Sequence, residues 1–198
     1  AILLHGADWF TGFGTNGATG LKYIALSGHV RKPGVYEIPL GTTVRDLIEQ
    51  YGGGITEGRA LKAFAPGGAS SGFLPASMAD IPLDFDALAK AGSMLGSGAV
   101  VAVAEGTDML DLARNVVTFF RNESCGKCVP CRTGTQQFVT MLDKVIDGKG
   151  TEVTLDPADD LAETMAQTSI CGLGQAAAIP VMSVLKYFPE EVEALIKR

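Results

Sequence analysis

The sequence predicts a mixed α+β fold in two parts, a small sheet domain followed by a helical domain. The first half contains short segments rich in β-branched and aromatic residues, separated by glycine and proline turn signals. The second half contains longer segments in which apolar residues recur at helical spacing. The change falls near Glu105. We therefore expect residues 21–105 to form one domain and residues 106–198 to form another.

The first 20 residues differ from both parts. They begin as an apolar, helix-like segment, with Trp9 expected in a core, and continue as a glycine-rich linker. In the linker, Gly12, Gly14 and Gly17 match the dinucleotide-binding fingerprint. That motif follows a strand and opens a helix, whereas here a helix-like segment precedes it and a strand-like segment follows. We interpret residues 1–20 as the end of a helix from a preceding domain and a linker.

The sheet domain is expected to contain a hairpin, a crossing helix and returning strands. The expected elements, in order, are strands over 22–27 and 35–38, a helix over 43–51 capped by Thr42, strands over 61–64 and 73–74, a helix over 85–91, and a buried strand over 99–103. This order is typical of a β-grasp, or ubiquitin-like, fold.

The helical domain is expected to be a four-helix bundle, because four periodic segments are joined by short loops. In the first segment, Leu110, Ala113, Val117 and Phe120 form an apolar stripe, which Phe119 widens. The expected helices span 107–121, 135–146, 157–167 and 175–187, with a last turn over 189–196.

Composition excludes several classes of protein. The chain is 46% hydrophobic and 19% charged with a formal net charge of −6, which is ordinary for a globular domain. No cluster of Lys and Arg could neutralise a row of phosphates, so we expect no nucleic-acid partner. No apolar run is long enough to span a membrane, so we expect no membrane insertion. The first residues lack a secretion-signal pattern, and we expect a cytoplasmic protein.

The four cysteines are the chemically distinctive residues. Three form a C-x-x-C-x-x-C run, Cys125, Cys128 and Cys131, and the fourth, Cys171, is remote. This spacing suits a 4Fe-4S cluster that takes three thiolates from one segment and one from elsewhere. Because Gly126 permits a positive φ and Pro130 disfavours a helical residue before it, the run is expected to be a loop followed by a helix.

Other occupants of the cysteines remain open at this point. Zinc also binds four cysteines, but its structural sites usually use two separated C-x-x-C pairs. Inert buried thiols or disulfides are the third possibility. Gly172 and Gly174, which flank Leu173 after Cys171, would let the backbone approach closely and donate N–H groups to sulfur. Lys127 and Arg132 would add positive charge.

No catalytic residues are expected. The two histidines, His5 and His29, are far apart in sequence, and each is interpreted as structural or exposed. The carboxylate pairs 159–160 and 190–191 lie at expected helix starts, where the helix dipole favours acidic residues.

The cysteine motifs carry a family resemblance. The segments 123–134 (Glu-Ser-Cys-Gly-Lys-Cys-Val-Pro-Cys-Arg-Thr-Gly) and 168–176 (Thr-Ser-Ile-Cys-Gly-Leu-Gly-Gln-Ala) resemble the C-terminal part of the 51 kDa-type flavoprotein subunit of NADH dehydrogenases. The segments 27–37 and 67–75 resemble the β-grasp SLBB domain of the same family. Within the family, Cys-Gly-Leu-Gly-Gln after the last ligand is most similar to the soluble formate dehydrogenase and NAD-linked hydrogenase versions.

The resemblance implies a cofactor set and partners. Cys125, Cys128, Cys131 and Cys171 match the ligands of one 4Fe-4S cluster, and Gly172 and Leu173 would lie on the FMN side. The FMN- and NADH-binding domain of the family is absent from these residues, so FMN and NAD would lie on a domain preceding residue 1 or on a separate chain. The other implied partners are a thioredoxin-like 2Fe-2S subunit and a molybdenum or hydrogenase catalytic subunit.

The resulting hypothesis is an electron-transfer segment of an NAD(H)-dependent oxidoreductase, relaying electrons to or from FMN, with NAD-dependent formate oxidation favoured. A segment of complex I or of an NAD-linked hydrogenase is the alternative within this class. A zinc-stapled module that binds protein partners is the alternative from another class, and a ferredoxin-like carrier working alone is a third.

Overall fold

The computed structural model describes residues 1–196, apart from the side chain of Glu152. The chain divides into two compact units, Ala1–Gly106 and a second that begins at Thr107. In the described residues, no helix is both long enough and apolar enough to cross a membrane.

The first unit is built on one mixed five-stranded sheet. Its strands are β1 (Leu21–Gly28), β2 (Gly34–Pro39), β3 (Leu61–Ala65), β4 (Leu74–Pro75) and β5 (Ala99–Ala104), in the spatial order β2-β1-β5-β3-β4. The central strands β1 and β5 are parallel, and the other neighbouring pairs are antiparallel. Along β1 the buried residues Ile24 and Leu26 alternate with the exposed Tyr23 and Ala25, so one face of this strand covers the core. The predicted α+β class is confirmed.

The first unit also contains short helices. They are α1 (Ile2–His5), α2 (Ala7–Thr11), α3 (Val44–Asp46), which continues as a π-helical turn over Leu47–Tyr51, and α4 (Phe85–Lys90). Single 3-10 turns span Thr56–Gly58, Ala69–Ser71 and Ala76–Met78.

The cap of the crossing helix differs from the prediction. Thr43, and not Thr42, is the N-cap: its side chain accepts the Asp46 N–H at 3.0 Å. Thr42 instead donates its hydroxyl to the Pro39 carbonyl at 2.7 Å. Either threonine has the chemistry of a cap, and the path of the chain leaving β2 decides between them.

The predicted core position of Trp9 is wrong. Its side chain is 39% exposed, and its ring contacts only the rings of His5 at 4.9 Å and Phe13 at 5.0 Å among the described aromatic pairs. Helices α1 and α2 contain no buried residue. The glycine-rich segment that follows is a loop leading into β1, and it lacks the helix that a dinucleotide-binding motif requires.

The second unit is helical. Its helices are α5 (Met109–Glu123), α6 (Val129–Ile146), α7 (Ala158–Thr168), α8 (Gly172–Ala176), α9 (Ile179–Tyr187) and α10 (Pro189–Leu195), with a 3-10 turn at Glu152–Thr154. Helix α5 packs on α6 and α9, and α7 packs on the same two helices, so these four form a bundle. The short α8 lies against α6 and α7.

The predicted apolar stripe of α5 is buried, as expected, at Leu110, Ala113, Val117 and Phe120. Phe119 does not widen it, because its side chain is 51% exposed. The Asp108 side chain caps the helix by accepting the N–H groups of two first-turn residues.

The predicted helix over 175–187 is divided into α8 and α9. Pro180 lies in the first turn of α9, where the missing backbone N–H would have had no helical partner. The proline therefore starts a helix here, and periodicity alone did not locate the break before it.

Candidate metal centre

The cysteine run connects α5 to α6. Ser124 ends α5, and Gly126 has a φ of 74°, which lets the chain reverse. Cys128 is the N-cap of α6, and Cys131 lies in the first turn of that helix with an exposure of 4%.

The predicted loop through Cys131, with the helix starting at residue 135, is therefore wrong. Helix α6 begins at Val129, inside the run. Pro130 lies in the first turn of α6, where its missing N–H sacrifices no helical hydrogen bond, and the extended preference of the residue before it does not delay the start of the helix. The early start places the free N–H groups of the helix N-terminus directly at the cysteines.

The remote segment meets the run at the Cys128 thiol. A hydrogen bond from the backbone of Ile170 is the main cause that lowers the pKa of this thiol below its ordinary value. Burial acts in the opposite direction, and backbone groups of the run and the Cys131 side chain lower the pKa further. Since Ile170 directly precedes Cys171, this contact brings the fourth cysteine's segment to the other three.

A second contact joins the segments at Gly174. A Cβ built on Gly174 would lie 2.8 Å from the Cβ of Cys131 and 2.5 Å from the Oγ of Ser169. Cβ atoms in proteins essentially never lie within 3.0 Å of such neighbours, so any residue other than glycine would force the neighbours to shift. Gly172 is different: a Cβ there would meet no atom of the described chain within 4 Å. Gly174 is therefore in close contact with the cysteine run, whereas the space beside Gly172 is open; the predicted donation of N–H groups from this segment to sulfur stays a prediction.

The four cysteines are not gathered equally. Cys125 and Cys171 are exposed, Cys128 is half-buried, and all four thiols are free. Cys128 and Cys131 are in contact. Among the side chains that the structure describes, no three of His, Cys, Asp or Glu already surround one point in a way that could hold a metal ion. The structure thus brings the two segments together and does not bring all four sulfurs to one centre.

The surroundings nevertheless fit a thiolate-held inorganic group. The donors are four free thiols, the soft ligands that iron-sulfur clusters and zinc prefer. Ser169 is 5% exposed, and its hydroxyl has no hydrogen-bond partner within the described residues. A buried hydroxyl without a hydrogen-bond partner is costly. A group bound among the cysteines would give the Ser169 hydroxyl a partner.

The two basic residues of the run act differently from one another. The Arg132 guanidinium donates to the Gly126 carbonyl and braces the turn between Cys125 and Cys128. Lys127 is exposed. The predicted positive charge therefore lies at the cysteines, and Arg132 also stabilises the turn there.

Sequence reasoning missed two hydroxyls at this site. Ser124 Oγ lies 3.2 Å from the Sγ of Cys131, and Ser169 is buried beside Gly174. The available signal was their position in the sequence: Ser124 directly precedes Cys125, and Ser169 lies two residues before Cys171. A serine near a metal ligand is a natural hydrogen-bond donor to it.

The histidines and paired carboxylates take structural positions. His29 Nδ1 accepts the Ala104 N–H at 3.3 Å within the sheet, and His5 contacts Trp9. The two carboxylate pairs lie in the first turns of α7 and α10, as expected.

Two family models match the chain. Residues 111–195 match the NADH-ubiquinone oxidoreductase-F iron-sulfur binding region, and residues 23–74 match the SLBB domain. The first match contains all four cysteines. The second runs from β1 into β4 of the sheet.

Curated relatives come from two kinds of enzyme. The chain is 40% identical over 194 residues to the HndC subunit of the NADP-reducing hydrogenase of Solidesulfovibrio fructosivorans, covering 98% of this chain and 40% of that protein. It is 41% identical over 196 residues to the F 2 subunit of the NADH-quinone oxidoreductase of Rhizobium meliloti (strain 1021), covering 99% of this chain and 47% of that protein. The chain thus spans less than half the length of these relatives.

A solved structure shares the fold. A crystal structure of an NAD+-reducing [NiFe]-hydrogenase in the H2-reduced state matches with a TM-score of 0.87 and 30% identity, covering 99% of this chain and 33% of that chain. The likeness extends over both units of the chain.

Proposed function

The chain belongs to the family that joins an SLBB domain to an NADH-ubiquinone oxidoreductase-F iron-sulfur binding region, and from this we propose that it is the electron-relay segment of an NAD(H)-linked flavoprotein subunit. The observation that carries the proposal is the convergence of the Cys171 segment on the cysteine run. Residues 1–20 would be the connection from a preceding domain, 21–105 the SLBB domain and 106–198 the iron-sulfur domain.

The proposed ligands are Cys125, Cys128, Cys131 and Cys171. When bound, a 4Fe-4S cluster accepts and releases one electron at a time. A flavin can pass single electrons to or from such a cluster and exchange two electrons with NADH. The chain's own residues hold the ligands: α6 presents Cys128 and Cys131 at its N-terminus, and α8 presents Cys171 as its N-cap.

Backbone geometry favours the deprotonated ligands. The Ile170 backbone stabilises the Cys128 thiolate, and the N-terminus of α6 places a partial positive charge at the same point. Metal binding requires thiolates, so these contacts lower the cost of releasing their protons. To close the site, the exposed Cys125 and Cys171 would turn inward.

FMN and NAD would bind outside this chain, on a preceding domain or on a separate polypeptide. Gly172 and Leu173 are proposed to lie on the FMN side. Open space around Gly172 and its exposure support this, because a partner could approach the backbone there without a side chain in the way.

The donor enzyme is the finer part of the proposal. The similar proteins are subunits of a hydrogenase and of NADH-quinone oxidoreductases, which supports a place in a hydrogenase or a complex I. Formate oxidation stays a prediction based on the sequence around Cys171. A thioredoxin-like 2Fe-2S subunit and a molybdenum or hydrogenase catalytic subunit are the proposed partners, and free thiols fit a reducing cytoplasm.

A zinc-stapled interaction module is the weaker alternative. The match of residues 111–195 to an iron-sulfur binding region argues against it. Anaerobic purification separates the two: the electron-relay proposal requires a brown protein with about four iron and about four sulfide per chain. A colourless protein with stoichiometric zinc would overturn it.

A further inference from the structure

We propose that Ser124 is a positioning residue that raises the reduction potential of the bound cluster, by donating its hydroxyl hydrogen to the sulfur of Cys131. The inference rests on the proposed function, since it concerns the same four ligands. It assigns a role to a residue outside that ligand set.

The direction of the hydrogen bond follows from the contacts of Ser124. Its Oγ lies 3.2 Å from the Sγ of Cys131. The same oxygen accepts the Gly126 N–H at 3.2 Å, so one lone pair is occupied and the hydroxyl hydrogen is free to point elsewhere. A ligating Cys131 is a thiolate and has no hydrogen to donate. Ser124 must then be the donor.

Both ends of this hydrogen bond are anchored at helix termini. Ser124 is the C-cap of α5, and its own N–H bonds to the Arg121 carbonyl at 3.4 Å. Cys131 is anchored in the first turn of α6 and is 4% exposed. The interaction is part-buried and joins the end of one helix to the start of the next. A hydrogen bond to a charged sulfur is stronger than one between neutral groups.

The effect on potential has a definite sign. Reduction adds one negative charge to the cluster, and part of that charge resides on the cysteine sulfurs. A donor to sulfur therefore stabilises the reduced state more than the oxidised state and raises the potential. We expect loss of the hydroxyl to change the equilibrium between the two states by about tenfold, which equals about 59 mV for one electron.

Three variants of Ser124 separate the donor from the shape of the side chain. Ser124→Ala removes the hydroxyl. Ser124→Thr keeps it, and Ser124→Val has the shape of threonine without it. The extended backbone at this residue, with φ −63° and ψ 127°, accepts β-branched side chains.

Thr135→Val is the matched control. The Thr135 hydroxyl also bonds to Cys131 and is fully buried, but it donates to the backbone carbonyl, at 2.8 Å, and not to the sulfur. Its removal perturbs the same ligand without removing a donor to the cluster.

The test is an EPR-monitored redox titration of the protein purified anaerobically with its cluster. We expect the Ala and Val variants to titrate at a potential lower by about 59 mV, and the Thr and Thr135→Val variants to titrate with the wild type. Equal potentials in all variants would overturn the inference. So would a Thr variant that shifts with Val, or donor-free variants that take up no cluster while Thr does, since Ser124 would then serve assembly.

Failure of the proposed function gives a different result. A wild-type protein without iron and sulfide removes the basis for both proposals. A wild-type protein with a cluster whose potential is insensitive to Ser124 removes only this inference.

Discussion

Gly174 of α8 lies so close to Cys131 of α6 that a Cβ on the glycine would stand 2.8 Å from the Cβ of the cysteine. This contact fixes how near the Cys171 segment can come to the cysteine run. The distance between the two halves of the proposed ligand set therefore depends on the absence of a side chain.

Gly174→Ala should open this contact and weaken the centre. The added methyl meets Cys131 and Ser169, and overpacking of this kind costs about 1–3 kcal/mol. We expect a lower melting temperature and fewer iron atoms per chain, measured by thermal unfolding and by iron analysis. Gly172→Ala is the control, because its methyl would meet no atom of the described chain within 4 Å. Equal iron contents in the two variants would contradict the role of the contact.

The thiols should differ in accessibility once iron is removed. Cys125 and Cys171 are exposed and should react first with an alkylating reagent, whereas Cys131, at 4% exposure, should react last. With the cluster bound, all four should be protected, because each sulfur is a ligand. Mass spectrometry of a labelling time course measures the order. Fast labelling of Cys171 in the loaded protein would exclude it from the ligand set.

The surface pair Arg45 and Asp80 should give a small pH dependence to stability. Two hydrogen bonds join the side chains, at 2.6 and 3.1 Å, and the bond from Arg45 holds the pKa of Asp80 below its ordinary value of 3.8. A carboxyl with a lowered folded-state pKa stabilises the fold above the unfolded pKa, and this contribution is lost as pH falls through the folded value.

Asp80→Asn should therefore lower stability slightly at neutral pH and leave it unchanged in strong acid. The side chain of Asp80 is 72% exposed and that of Arg45 is 42% exposed, so solvent and salt reduce the effect. Urea unfolding of wild type and variant, measured at both pH values with Arg45→Gln as a partner in a double-mutant cycle, checks this. A difference that persists at acid pH would assign the effect to something other than the ion pair.

The strands were predictable because their signal is local. The β-branched and aromatic content of β1 and the turn before β2 place both strands within a residue or two of their observed ends. The start of α6 was not predictable from the sequence, because two local preferences conflict at Pro130. Proline favours the first turn of a helix, but it disfavours a helical residue before it. Only the surrounding contacts decide between the two. Trp9 was misplaced for a related reason: an apolar pattern predicts burial without saying what covers the residue.

Spacing alone predicts the four proposed ligands, whereas it does not predict the contacts that surround them. The Ile170 backbone meets Cys128 across a long stretch of sequence, and Ser124 meets Cys131 only because the chain reverses at Gly126. The spacing of the cysteines predicts which thiols could bind a metal group. The hydrogen bonds around them exist only after the helices have packed.

The central claim is that Cys171 completes a four-iron cluster whose other ligands come from the cysteine run. The most direct measurement is low-temperature EPR and Mössbauer spectroscopy of anaerobically purified wild type and Cys171→Ala. We expect a 4Fe-4S signature in the wild type and either a three-iron form or no cluster in the variant. An intact four-iron signal in Cys171→Ala, at the wild-type iron content, would contradict the claim.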